Sequence, residues 1–287
     1  MKARTSQTRC EEAAVRGEDF TALRKLALGE CLASLVISSL PEAVVRGLLP
    51  EGLELLPQAL APRGEHPVLL YFLEHRDVRP VPPLFRVAYR EFVLAIPSVR
   101  WKGAPADYAG PFVYWPRLYL DRTLPILAGH LYGYAKQRAL IDASETGWSV
   151  RATKDGTELV SAAFQPRGTL DACGAGTTYD TFVSDVSTQP LIARSPLGFF
   201  VVSFLDGALA RDEVQVLDAE VRIAHAFLPG LPLTTHRGDV GRSGLGGAFR
   251  TKLRWSLSWP MRSVPDQARA RGRAVAAAMP LHSRADR

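Results

Sequence analysis

The chain has 287 residues, of which 47% are hydrophobic, a mean hydropathy of -0.01 and a formal net charge of +6. This is ample apolar material for a core in one large domain or two small ones, so the chain reads as a soluble globular protein. The basic surplus is scattered and partly terminal, with no dense basic run or nucleic-acid motif, so no nucleic-acid partner is expected.

Cys10, Cys31 and Cys173 stand far apart with no CxxC pair, which fits reduced thiols better than a disulfide framework or a zinc site. His66, His75, His225, His236 and His282 form no pair at metal-ligand spacing, so no metal is expected. Acidic residues in the first twenty positions spoil a secretory signal, and Glu30 interrupts the apolar run from Leu26 to Leu40. No stretch reaches the ~20 apolar residues of a membrane span. A cytoplasmic protein without membrane contact is the expectation.

In chain order, Phe20, Leu23, Leu26, Leu28, Leu32, Leu35 and Val36 recur at roughly helical spacing, predicting an N-terminal helical segment over 1–40. A short helix over Glu42–Leu49 follows, ended by Pro50. The texture then changes. HPVLLYFLEHRDV, LFRVAYREFVLAIPSVRW, PFVYWPRLYLD, GWSVRATKDGTELVSAAFQP, LGFFVVSFLDGALARDEVQVLDAEVRI and AFRTKLRWSLSWPMR are rich in Val, Phe, Tyr and Trp and bounded by turn residues, predicting six or more strands. KDGTE at 154–158 and Asp206-Gly207 are hairpin signals that favour antiparallel neighbours. A helix is expected around Leu124–Ala139, the one strong helical interruption. The Gly-rich loop 236–249 matches no phosphate or dinucleotide fingerprint and reads as a surface loop. Segment 263–287, rich in Ala and Arg, reads as a frayed helix or disordered tail.

Lys136 stands out because only six of the 35 basic residues are lysines, and this one sits among Leu131, Tyr132, Tyr134, Ala135 and Ala139. The nearest acids in sequence are Asp121 and Asp142, so no helical i±4 carboxylate is available to hold it charged. A lysine acts as a nucleophile only as the neutral amine, and burial disfavours the charged form.

The run RLYLDRTLPILAGHLYGYAKQRA resembles the acetoacetate decarboxylase family's pattern, in which a strand end leads into an aromatic-Pro-Lys-Lys motif. Here that motif reads Tyr134-Ala135-Lys136-Gln137. VAYREFVLAIP is similar to the family's Tyr-x-Glu strand, which makes Glu91 the counterpart of an active-site glutamate. LLPEGLELLP and SPLGFFVVSFLDGALARDEVQVLDAEVRI resemble further family segments, so the likeness spans 41–262. Ala135 replaces the family's proline and Gln137 its second lysine, and Gly129-His130 stands for a Gly-Arg-Glu segment. The family's substrate arginine falls near Cys31, or on Arg24 if the register shifts. A further family glutamate falls around Leu73 and Glu74.

The resemblance implies a β-rich α+β fold, an antiparallel barrel or cone with a few flanking helices, in which a helix-borne Lys136 projects into the mouth. It implies Schiff-base chemistry on a small keto acid without a cofactor: Lys136 as nucleophile, activated by burial since Gln137 removes the neighbouring cation, and Glu91 as acid or base. On an alternating strand Glu91 shares its face with Tyr89 and Val93. Glu74, His130, Tyr132, Tyr134, Gln137 and Arg24 are the candidate substrate-binding residues. Decarboxylation comes first; aldolase, dehydratase or cyclase chemistry on a larger oxo-acid and a non-catalytic ligand-binding relative are the alternatives. The family's habit of assembly implies a homo-oligomer.

Overall fold

A computed structural model describes residues 24–262 except 59, 105–109, 177–178, 181–185, 210, 230–233 and 239–246. Cys10, His282, most of the Gly-rich loop and the segment 263–287 therefore lie outside the described residues. The strands are β1 (Lys25–Pro41), β2 (Leu53–Leu55), β3 (Glu65–Pro80), β4 (Val87–Trp101), β5 (Phe112–Leu120), β6 (Lys136–Ala143), β7 (Gly147–Ala152), β8 (Glu158–Thr169), β9 (Leu191–Arg194), β10 (Phe200–Ser203), β11 (Leu205–Leu209), β12 (Gln215–Ile223), β13 (Thr234–Gly238) and β14 (Gly247–Ser258). Helix α1 spans Glu42–Leu48 and α2 Thr123–Leu131.

The sheet runs β5-β6-β7-β8-β12-β14-β1-β3-β4, and β4 pairs back onto β5, closing a nine-stranded barrel. One apolar cluster draws residues from all nine strands, including Val36, Phe72, Phe92, Ile141, Phe164 and Leu217, so it fills the interior. A second cluster, with Ile37, Leu69, Tyr89, Val93, Leu118 and Ile126, lies on the outer face of β1, β3, β4 and β5 under α2. Strand alternation assigns the faces. On β3 from Val68 to His75 and on β4 from Tyr89 to Ile96, even-numbered residues such as Phe72 and Phe92 point inward, and odd-numbered ones such as Leu69, Tyr89 and Val93 point outward.

The helical expectation for 1–40 fails over its described part. Lys25–Pro41 is a strand hydrogen-bonded on both sides, to β3 and β14. Both its faces are buried, Val36 and Leu40 inward, Leu35 and Ile37 outward. Such a strand is apolar at nearly every position and mimics a helical stripe, and its Leu and Ala add helix propensity that the pairing overrides.

The 154–158 hairpin is as expected: Val150 pairs Val160, and Gly156 takes φ +71° at the turn. Asp206-Gly207, by contrast, lies inside β11, where Gly207 opposes Trp255 and leaves room for Leu253, which a Cβ would approach to 2.7 Å. The helix expected over 124–139 ends at Leu131, and its remainder is a turn and the start of β6. This segment makes β5-α2-β6 a short crossover, so β5 and β6 run parallel, as do β5 and β9, in an otherwise antiparallel sheet.

Candidate active site

The crossover brings Lys136 to its place. At the end of α2, Gly133 adopts φ +87° and packs so tightly on the backbone of Arg194 and Ser195 that a Cβ would come within 2.9 Å of the Arg194 carbonyl. The chain turns back at once, and Lys136 opens β6 opposite Leu118. Lys136 is therefore strand-borne, a correction to the helical expectation. Leu118 belongs to the outer cluster, so Lys136 points to the outer face of the barrel wall. Its aliphatic stem runs over Gly129 of α2, where a Cβ would lie 2.4 Å from Cδ and 2.8 Å from Cε.

Glu91 on β4 opposes Leu120 of the same outer cluster and shares its face with Tyr89 and Val93. Lys136 Nζ lies 3.1 Å from Glu91 Oε1, with side-chain exposures of 12% and 6%. A charge partner for the lysine thus exists, supplied across the sheet and not from i±4. On the other carboxylate oxygen, His75 Nε2 sits 3.2 Å from Oε2 with its side chain 4% exposed. Burial pushes the Glu91 carboxyl up, but the Lys136 ammonium and the His75 hydrogen bond outweigh it and hold the group down at about 2.

His75 is itself held. Its ring stacks on Tyr89 at 4.4 Å between centroids and meets Trp255 edge-on at 5.6 Å. Across the β1–β3 pairing it faces Cys31, a thiol pushed up to about 12 by burial and then by the Glu91 charge. Lys136 Nζ lies 5.9 Å from the centre of the Tyr89 ring. Burial first, then the charge of Glu91, raises the Tyr89 phenol well above its ordinary range.

Tyr134 is buried, packs on Trp115 at 5.6 Å and accepts the Lys136 backbone N–H at its carbonyl. Its phenol is pushed up to about 12 by burial, with Ser203 opposing and Glu91 reinforcing; the hydroxyl faces Ser203 without closing a well-aligned hydrogen bond. Several buried polar atoms of this neighbourhood make no hydrogen bond among the described residues: His75 Nδ1, Tyr134 Oη and Trp255 Nε1. Glu91 Oε1 likewise meets Lys136 as an ionic contact and not as an aligned hydrogen bond. Buried polar groups are satisfied in the great majority of cases, so this concentration of unpaired atoms sets the neighbourhood apart.

The remaining sequence candidates separate. Glu74 shares the Phe72 face, opposite to Glu91, and its 37%-exposed side chain pairs with Arg76. His130 is exposed and donates from Nε2 to the Lys136 carbonyl at 2.6 Å, supporting the strand start. Gln137 is exposed and opposes Tyr119 of the interior cluster, so it leaves the Lys136 face. Arg24 lies over the Trp259 ring at 4.9 Å, and Tyr132 meets the same ring edge-on at 5.6 Å. His75, Trp255 and the stem-accommodating Gly129 are the residues that sequence reasoning missed. The position of His75, two residues beyond Leu73 on an alternating strand, is the signal that locates it once the β3–β4 register is known.

The outer wall of the closed barrel thus carries a buried lysine–carboxylate–histidine group. The acetoacetate decarboxylase (ADC) family matches the chain over residues 35–181, half its length, and the chain belongs to that family. No curated protein matches the sequence. Among solved structures, the enduracididine biosynthesis enzyme MppR, complexed with the condensation product of pyruvate and imidazole 4-carboxaldehyde, is similar at a TM-score of 0.55 and 14% identity over 85% of this chain and 91% of that one. Acetoacetate decarboxylase from Legionella pneumophila is similar at 0.53 and 13% identity over 91% and 97%. An acetoacetate decarboxylase-like enzyme from Sphingomonas wittichii gives 0.54 and 13% over 84% and 93%. At these identities the likeness establishes the shared fold. Among the described residues no helix is long and apolar enough to cross a membrane, and no three His, Cys, Asp or Glu side chains form a group able to hold a metal ion.

Proposed function

We propose that the protein is a lysine-dependent lyase that joins Lys136 to the ketone of a small keto acid as a Schiff base, with decarboxylation as its first reaction. The observation that carries this reading is the buried contact between Lys136 Nζ and Glu91 Oε1 at 3.1 Å, beside polar atoms left unpaired. The resting site is an ion pair. Moving the proton from Nζ to Oε1 turns two buried charges into two neutral groups, a change that a dry environment assists, and frees the nitrogen lone pair. The amine attacks the ketone carbon, Glu91 returns the proton to the carbinolamine oxygen, and water leaves to give the iminium.

With a β-keto acid the bond to the carboxylate carbon then breaks, CO2 departs, and the released electron pair enters the iminium to form an enamine. A solvent proton delivered through Glu91 reaches the enamine carbon, and hydrolysis restores the amine. No cofactor takes part in this sequence. Gly129 sets the stem of Lys136 and Tyr89 walls its tip, which fixes the approach of the carbonyl.

A second reading keeps the Schiff base and changes the reaction to condensation or dehydration of a larger oxo-acid. It is favoured by the fold shared with MppR, whose bound molecule is a condensation product of pyruvate and an aldehyde. It is favoured too by Cys31 facing the site and Gln137 leaving it, where the family pattern carries an arginine and a second lysine. Acetoacetate separates the readings. CO2 release by the wild type, abolished in Lys136→Ala, supports decarboxylation, whereas a Lys136 adduct without CO2 release assigns the second chemistry. A cytoplasmic homo-oligomer belongs to the same proposal, with light scattering expected to give a multiple of 31.4 kDa.

A further inference from the structure

His75 has a bonding pattern that a structural histidine does not need. Glu91 faces an ammonium on one oxygen and is therefore a carboxylate, a group that only accepts hydrogen bonds. The hydrogen on the 3.2 Å contact must then belong to His75, which fixes its Nε2 as the protonated nitrogen. In the neutral ring the other nitrogen, Nδ1, carries a lone pair and accepts. That nitrogen is buried and has no partner among the described residues. The ring cannot swing to find one, because Tyr89 stacks on its face and Trp255 abuts it. The groups around it are Cys31 from β1, Tyr89 and Glu91 from β4 and Trp255 from β14. The Cys31 thiol makes no hydrogen bond to it.

We propose that His75 is a substrate-contacting residue whose Nδ1 accepts a hydrogen bond from a hydroxyl next to the reacting carbonyl, so that the preferred substrates are hydroxylated oxo-acids. Resting on the Schiff-base reading, it narrows that reading's substrate class. Through Nε2 the same ring presents Glu91 Oε1 to Lys136, so substrate recognition and amine activation share one side chain.

The test measures the half-saturating concentration for trapping pyruvate and hydroxypyruvate on Lys136 with cyanoborohydride, read by intact mass at pH 8. Hydroxypyruvate should half-saturate at about one fifth the concentration of pyruvate, the weight of one neutral hydrogen bond. His75→Gln places an amide where Nε2 lies and leaves nothing at Nδ1, so at whatever rate it traps pyruvate, hydroxypyruvate should no longer half-saturate at the lower concentration. His75→Asn places its amide near Nδ1 and should keep the preference. Equal half-saturation in the wild type overturns the proposal without any variant, and so does a preference that survives in His75→Gln. If the wild type traps neither compound, the Schiff-base reading itself falls and this proposal falls with it.

Discussion

Replacing Glu91 by Gln removes a charge and leaves the shape, which isolates the electrostatics of the site. Glu91 is held at about 2 against an ordinary 4.5, mainly by Lys136 and His75 overcoming its burial. At ~1.4 kcal/mol per unit, the folded state gains roughly 3 kcal/mol from ionised Glu91 at neutral pH. An independent route agrees, since removing one partner of a buried ion pair costs about 3–5 kcal/mol by stranding the other charge. For a depressed carboxyl, this stability is fully present above the unfolded value of 4.5 and is lost as pH falls towards about 2. Urea titrations at pH 7 should therefore show Glu91→Gln less stable by about 3 kcal/mol with an unchanged slope, and the gap should close between pH 4.5 and 2. Lys136→Met in the Glu91→Gln background should recover most of the loss, because no charge is then stranded. Equal midpoints for wild type and Glu91→Gln at pH 7 would refute the buried-pair reasoning.

Three further substitutions or labels probe the same geometry. Gly129→Ala puts a methyl 2.4 Å from Lys136 Cδ and displaces the stem, so adduct formation on Lys136 should slow by tenfold or more while cooperative unfolding is kept; an unchanged rate would show that the stem does not need that path. Glu74→Gln, an exposed change on the opposite face of the sheet, should shift stability by less than about 0.5 kcal/mol and leave trapping intact, and a loss of trapping would restore Glu74 to the site. Cys31, buried and raised to about 12, should resist iodoacetamide at pH 8 in the native protein while half-exposed Cys173 labels first; peptide mapping that finds the reverse order would contradict the dry site.

Much of the barrel was legible because its strands carry period-two patterns and aromatic residues that a helix would not arrange so. The 17-residue β1 was not, since a central strand buried on both faces has no alternation to display. Lys136 and Glu91 were found through motif order, and the structure puts them in contact although 45 positions separate them in the sequence. Their surroundings were less legible for a definite reason. Which residue joins Glu91 depends on the β3–β4 register, and a slip of one position would exchange His75 for Glu74. The parallel β5-α2-β6 crossover was hidden for a similar reason. Its helix stops after nine residues, and Lys136–Ala139, expected as the end of that helix, instead opens a strand.

The central claim is that Lys136 forms an imine. Wild-type protein incubated with pyruvate or acetoacetate and borohydride should gain the mass of one reduced adduct, mapped by peptide sequencing to Lys136 and absent in Lys136→Ala. An unchanged mass, or an adduct on Lys102 or Lys154 in place of Lys136, would contradict the account.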